Sequence, residues 1–109
     1  QILGKSNYYH SIHLNQQIVI RTFLNLIDTW LRRENLIQAV KYINHLNEIE
    51  ISKDFFSEKI ILKYHEAHYQ YLQGKEEGLE EMKKHAQTLE NYGFLLEAKA
   101  LFEEIYRVI

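Results

Sequence analysis

Apolar positions along this chain fall into two similar sets, offset by about forty residues. In the first, Phe23, Leu26, Ile27 and Trp30 precede a polar turn, Arg33-Glu34-Asn35, and Ala39, Ile43 and Leu46 follow it. In the second, Tyr64, Ala67, His68 and Tyr71 precede Gly74-Lys75-Glu76, and Gly78, Met82 and Ala86 follow. Within each set the spacing is that of one helix face. A helical hairpin repeated in this way cannot bury its apolar face alone, so it stacks on its neighbour. The pattern predicts an all-α chain of about five helices, arranged as helical-hairpin repeats in an α-solenoid.

The first helix is expected from about Asn15 to Arg33, with Ile20, Phe23, Leu24, Ile27, Trp30 and Leu31 on its apolar face. Arg21, Asn25, Asp28 and Arg32 share a flanking polar strip. A second helix starts at Glu34 or Asn35, carries Leu36, Ile37, Val40, Ile43 and Leu46, and fades at Asn47-Glu48. After a loop over 48–53, Asp54 is the expected N-cap of a third helix striped by Phe56, Ile60, Ile61, Tyr64, Ala67, His68, Tyr71 and Leu72. Gly74 closes that helix with a positive φ. The fourth opens with Glu76 and Glu77 at the positive end of its dipole. Its face is Leu79, Met82, Ala86 and Leu89, with a Glu80–Lys84 pair opposite. Asn91-Tyr92-Gly93 ends it, and a fifth helix runs from about Leu95 to Val108 with Leu95, Ala98, Leu101, Phe102 and Ile105 on its stripe. Residues 1–13 fit either the last turns of an upstream helix or a tether packed on the first repeat. No stretch alternates apolar and polar residues cleanly, so no strand is expected. Ala39 and Gly78 open the second helix of each pair, where two helices approach closely. The first copy fits the tetratricopeptide pattern, and the second fits it more loosely.

Composition sharpens this picture in three places. The chain has no proline and only four glycines among 109 residues, so little interrupts helix propagation. Eight tyrosines suit surfaces that are dry on one side and wet on the other, such as seams and grooves. Thirteen Lys and Arg against fifteen Asp and Glu leave a net charge of −2, so this segment is not expected to hold nucleic acid by itself. Without cysteine there is no disulfide, thiolate metal site or cysteine nucleophile, which fits a cytoplasmic location. No apolar run reaches the roughly 18 residues of a membrane span. Gln1-Ile2-Leu3-Gly4, without an initiator Met or a signal-peptide pattern, reads as the interior of a longer chain.

Candidate chemistry is sparse. His65 and His68 are three residues apart, whereas the zinc-protease pattern needs histidines four apart around a glutamate base. One histidine in a seam and one facing a groove or water is the simpler assignment, and no metal or other cofactor is expected. Glu76, Glu77, Glu80 and Glu81 lie on an exposed helix start, without the contrasting environments that acid–base catalysis requires. There is no glycine-rich phosphate loop and no Gly-x-Ser-x-Gly elbow, and no enzyme is expected. What remains is the polar strip of the first helix. Aligning Trp30 with Tyr71 places Arg21, Asn25 and Asp28 beside Leu62, Glu66 and Tyr69, and matches Leu24 with His65. Arg21, Asn25, Asp28, His65 and Tyr69 are therefore the candidate contacts for an extended peptide. Asn can bond backbone amides, Arg a carboxylate, and the rings its side chains.

Three stretches carry a family resemblance. They are Thr22-Phe23-Leu24-Asn25-Leu26-Ile27, Asp54-Phe55-Phe56-Ser57-Glu58-Lys59-Ile60, and Tyr71-Leu72-Gln73-Gly74-Lys75-Glu76-Glu77-Gly78-Leu79-Glu80-Glu81-Met82, followed by the helix end from Leu89 to Gly93. In this order the chain resembles the C-terminal domain of the Rgg/GadR/MutR transcriptional regulators over about residues 20–106. The resemblance implies a cytoplasmic, usually homodimeric regulator whose N-terminal helix-turn-helix domain, absent here, binds DNA. It also implies a C-terminal domain that binds a short signalling peptide, with Asn25 as the residue matching the family pattern. Phe102, Ile105 and Tyr106 on the last helix would cap the array or support dimer contact. The alternative is a helical-repeat scaffold that joins two proteins without sensing a peptide.

Overall fold

The structure is a computed structural model that describes the backbone of residues 5–109 and the side chains from residue 12 onward. It contains five helices: α1 Lys5–Arg32, α2 Leu36–Glu48, α3 Phe56–Leu72, α4 Glu77–Asn91 and α5 Leu95–Val108. No strand occurs among the described residues. The first helix begins about ten residues earlier than the apolar stripe suggested, because the stretch from Lys5 to Leu14 holds no Pro or Gly to break a helix. The segment before Asn15 is thus part of α1 from Lys5 on. The side chains of Tyr8, Tyr9 and His10, and all of 1–4, lie outside the described residues.

Three turns end helices in the same way. The amide of Asn35 donates to Trp30 O (2.9 Å), that of Lys75 to Gln70 O (3.1 Å) and that of Phe94 to Leu89 O (2.9 Å). Each is the six-to-one bond of a Schellman closure, which needs a left-handed residue just before its donor. Gly74 and Gly93 supply it at φ +94° and +89°, and Glu34 does so at φ +55° without being a glycine. The side chain of Asn35 then caps α2 by accepting from the Gln38 amide (3.2 Å). Asp54 does not cap α3, whose N-cap position is Phe55 with no side-chain bond. Its amide donates to Ser52 Oγ and its carboxylate lies 3.2 Å from His13 Nε2, which draws it back towards α1.

Packing is sequential: α1 on α2, both on α3, α3 on α4, and α4 on α5. No Cα of α5 lies within 8 Å of one in α1 or α3 among the described residues. A radius of gyration of 15.4 Å and extents of 57 × 31 × 18 Å follow, against about 13 Å for a compact chain of this length. Ile20, Leu24, Ile27 and Leu31 of α1 pack with Ala39, Ile43 and Leu46 of α2, with Phe55, and with Leu62 of α3. Farther along, Tyr64 and Ala67 of α3 meet Met82 and Ala86 of α4 and Ile105 of α5. A smaller group, Ile60, Leu89 and Ala98, continues that seam. The third helix therefore serves both halves of the core. At the α3–α4 crossing, a Cβ on Gly78 would stand 2.6 Å from Ala67 O and 2.7 Å from Tyr71 N, so only glycine permits this approach.

Some stripe positions differ from the expectation. Ile37 is 81 % exposed and Leu95 62 %, because each opens a helix whose buried face begins a turn later. Glu80 pairs with Lys83 at 3.5 Å, one residue short of the i,i+4 partner.

Candidate functional site

The polar strip of α1 faces a recess of about 240 Å³ that α3 and α5 complete. Arg21, Leu24, Asn25, Asp28 and Arg32 form one wall, Glu58, Ile61 and His65 a second, and Ala100, Leu101 and Glu104 a third. The strip repeats at i, i+4, i+7 and i+11, which keeps one side of a straight helix in line. Four of the five residues singled out for peptide contact, Arg21, Asn25, Asp28 and His65, border this single cavity. Tyr69 does not: it packs, half-buried, against the α1–α2 core. Nor do the positions paired with the strip by repeat alignment, since Leu62 is core and Glu66 accepts from Asn47 Nδ2 of α2 (3.1 Å).

Two carboxylates unremarked as site residues in the sequence organise the walls. Glu58 is only 2 % exposed. Its Oε2 accepts from Arg21 Nε (2.8 Å) and Gln17 Nε2 (3.1 Å), and its Oε1 from Ser57 Oγ (3.0 Å). Burial alone would raise its pKa. The hydrogen bonds from Gln17, its own backbone and Ser57, with the charge of Arg21, outweigh burial and hold it below the usual carboxylate value. It is therefore an anchored anion that fixes the Arg21 stem while half of that side chain stays open to solvent.

Glu104 is the other, reaching in from α5. Tyr64 Oη donates to its Oε1 at 2.8 Å. Arg32 Nε lies 3.3 Å from its Oε2 and 3.0 Å from Asp28 Oδ2, so one guanidinium serves both acids. Burial, and then the negative charge of Asp28, push the Glu104 carboxyl upward against the opposing pull of Tyr64 and Arg32. Burial likewise raises the Tyr64 hydroxyl, with Glu104 adding to it.

Both histidines of α3 are buried, and neither faces open water, although His65 borders the recess. Burial depresses His65 to about 4 and His68 in the same direction, so both imidazoles are neutral near pH 7. Among the described residues no cluster of three or more His, Cys, Asp or Glu is placed to hold a metal ion. No described helix is long and apolar enough to cross a membrane.

A family model, the C-terminal domain of the HTH-type transcriptional regulator Rgg, matches residues 1–104. The chain belongs to the Rgg family. No solved structure matches it significantly. As an Rgg C-terminal domain it is a regulatory part of a transcriptional regulator, and it is helical throughout, as that assignment implied.

The last helix of this Rgg domain presents a second surface. Tyr106 is 76 % exposed, and Leu95, Leu96 and Ile109 are open beside it. Phe102 is half-buried between α4 and α5 and borders two shallow depressions that Tyr106 also lines. Ile105, also named as a dimer contact, is 1 % exposed and packs on Tyr64 and Met82 within the chain's own core. Its place is therefore structural, because the α5 turn that carries it faces α3 and α4.

Proposed function

We propose that this Rgg domain is the peptide-sensing half of a cytoplasmic, homodimeric regulator that binds DNA through an N-terminal helix-turn-helix domain. Its helical hairpins form a tetratricopeptide-like array, and a short signalling peptide lies in the recess shared by α1, α3 and α5. The observation that carries this reading is the convergence of Arg21, Asn25, Asp28 and His65 on one cavity. Its walls set the charged side chains of Arg21, Asp28, Arg32, Glu58 and Glu104 beside Leu24, Ile61 and Leu101. That mixture suits a peptide, which needs partners for its amides and dry contact for its side chains. Occupancy favours one arrangement of α5 relative to α1, and Phe102 and Tyr106 on α5 carry the change to a second copy.

The test is a fluorescence-anisotropy titration of the full-length protein with an octapeptide selected against it from a random displayed library. Arg21→Ala and Asn25→Ala should each weaken binding about tenfold or more, within the range for a charge-assisted contact. Affinity equal to wild type in both variants would place the peptide elsewhere and overturn the reading. A selection that enriches no octapeptide would overturn the peptide reading and favour a scaffold that joins folded proteins.

A further inference from the structure

The recess does not end at Arg32. A second cavity of about 370 Å³ lies beyond it, lined by Leu31, Glu34, His68, Tyr71 and Arg107 among others, and Arg32 and Glu104 border both. The first is smaller than the ~300–1,000 Å³ of ordinary ligand pockets, whereas the two taken together fall inside that range. What separates them is one ion pair, Arg32 Nε to Glu104 Oε2 at 3.3 Å, reaching from α1 to α5. Since no backbone of α1 approaches that of α5 among the described residues, the tie between these helices at this point is made by side chains.

The groups around this pair are incompletely satisfied. His65 Nδ1 and His68 Nδ1 are buried without a hydrogen-bond partner, the latter 3.7 Å from Glu104 Oε1, and Glu104 Oε2 has no hydrogen bond beyond its ion pair with Arg32. All three residues are at least 97 % buried, and they border the first cavity, the second, or both. Orphaned polar atoms in a buried site mark where a partner is missing. A partner that brings donors, or donors and acceptors together, satisfies them, because Glu104 offers an acceptor oxygen and each neutral imidazole nitrogen can act in either sense. A peptide backbone, with alternating N–H and C=O groups, does this along its length. Arg32, for its part, has a side chain 57 % exposed and holds Asp28 on its own helix at 3.0 Å, a partner it keeps on turning outward from Glu104.

We propose that the Arg32–Glu104 pair is a removable bar across one continuous groove, and that the cavity beyond it is a second subsite for the same extended peptide. This rests on the peptide reading above. A peptide confined to the first cavity leaves the bar in place. A longer one displaces Arg32, offers amide groups to Glu104 and His68, and seats its remaining residues between Tyr71 and Arg107. Displacing the bar also releases α5 from α1, which makes ligand length the feature that the domain reads.

The experiment uses the full-length protein, the selected octapeptide, and its two tetrapeptide halves, all followed by anisotropy. Arg32→Gln removes the bar, and Arg32→Lys keeps a cation in its place. The octapeptide should bind Arg32→Gln about five- to tenfold more tightly than wild type, with Arg32→Lys close to wild type and at least one half unchanged in both. Spin labels at Thr29 and Lys99, both exposed, read the α1–α5 separation without any ligand. They should report a broader, longer distance in Arg32→Gln and in wild type with octapeptide. Octapeptide affinity that is unchanged or weaker in Arg32→Gln, or an α1–α5 distance unmoved by the variant, would overturn the bar while leaving the first cavity as the peptide site. Loss of octapeptide binding in Arg21→Ala, alongside an unaffected Arg32→Gln, would separate the two conclusions directly.

Discussion

Replacing Gly78 by alanine tests the close approach of α3 and α4. Gly78 sits in the first turn of α4, and an added Cβ would stand 2.6 Å from Ala67 O and 2.7 Å from Tyr71 N. Both are backbone atoms of α3, so neither can rotate away as a side-chain tip would. Helix propensity by itself favours alanine by about 0.5–1 kcal/mol. Relieving the overlap requires the two helices to part by at least several tenths of an ångström across a seam that includes Tyr64, Ala67, Met82 and Ala86. Overpacking of this kind costs about 1–3 kcal/mol, and more where the neighbour is rigid. The balance is a net destabilisation of about 1–2 kcal/mol. At ~4–8 °C per kcal/mol, Tm should fall by roughly 5–15 °C. Thermal unfolding followed by circular dichroism measures this, with exposed Gln87→Ala as a reference expected within about 0.5 kcal/mol of wild type. A Gly78→Ala protein that melts at or above wild type would show that the α3–α4 spacing is not set by this glycine.

Other substitutions probe other parts of the argument. Glu34→Gly should raise stability by about 0.5–1 kcal/mol in urea titrations, since it relieves a left-handed non-glycine residue at φ +55°; a loss would mean that the Glu34 side chain contributes more than its backbone strains. Tyr64→Phe removes the donor to Glu104 and should cost about 1–3 kcal/mol by the same assay, whereas an unchanged midpoint would deny that bond a structural role. His65, depressed to about 4 in the folded chain against 6.5 unfolded, binds its proton more readily when unfolded. Its contribution is complete above pH 6.5 and drains away as pH falls towards 4, by up to about 3 kcal/mol. His68 acts in the same direction, and the raised carboxyl of Glu104 in the opposite one. Comparing wild type with His65→Leu at pH 7 and pH 4.5 isolates the effect, and a variant with an equally steep acid loss would refute it.

The turns between paired helices were legible, because Gly74, Gly93 and Asn35 have few alternatives to the turns they make, whereas the starts of α1 and α3 were not. Nor was the register between repeats. Matching Trp30 to Tyr71 used their bulk, but the equivalent Schellman bonds are accepted by Trp30 O and Gln70 O, which sets the offset at one residue less. One residue is about 100° around a helix. That rotation carries Leu62, Glu66 and Tyr69 off the recess and brings Ile61 and His65 onto it. Arg21, Asn25 and Asp28 were readable because a polar strip beside an apolar stripe is visible on a single helix. Glu58 and Glu104 were passed over, although Glu58 is the one acid between Phe55 and Ile61, and Glu104 shares a helix face with Leu101 and Ile105. An acid in such a position signals a buried partner, but the partners Arg21 and Arg32 lie tens of residues away in the chain. Ile105 shows the converse limit, since a stripe residue of a terminal helix does not declare whether its own chain or another will cover it.

The third helix is the one element shared by both clusters of the interior, with Leu62 turned to one side and Tyr64 and Ala67 to the other. A protein joined in this way has no natural line of fracture. A protease cut or a pulling force that unseats α3 strips the cover from the hairpin before it and the hairpin after it in the same event. Partial melting from the middle is therefore denied to this chain, and loosening must begin at its outer helices, α1 and α5, each of which can part from the array without uncovering both halves of the interior.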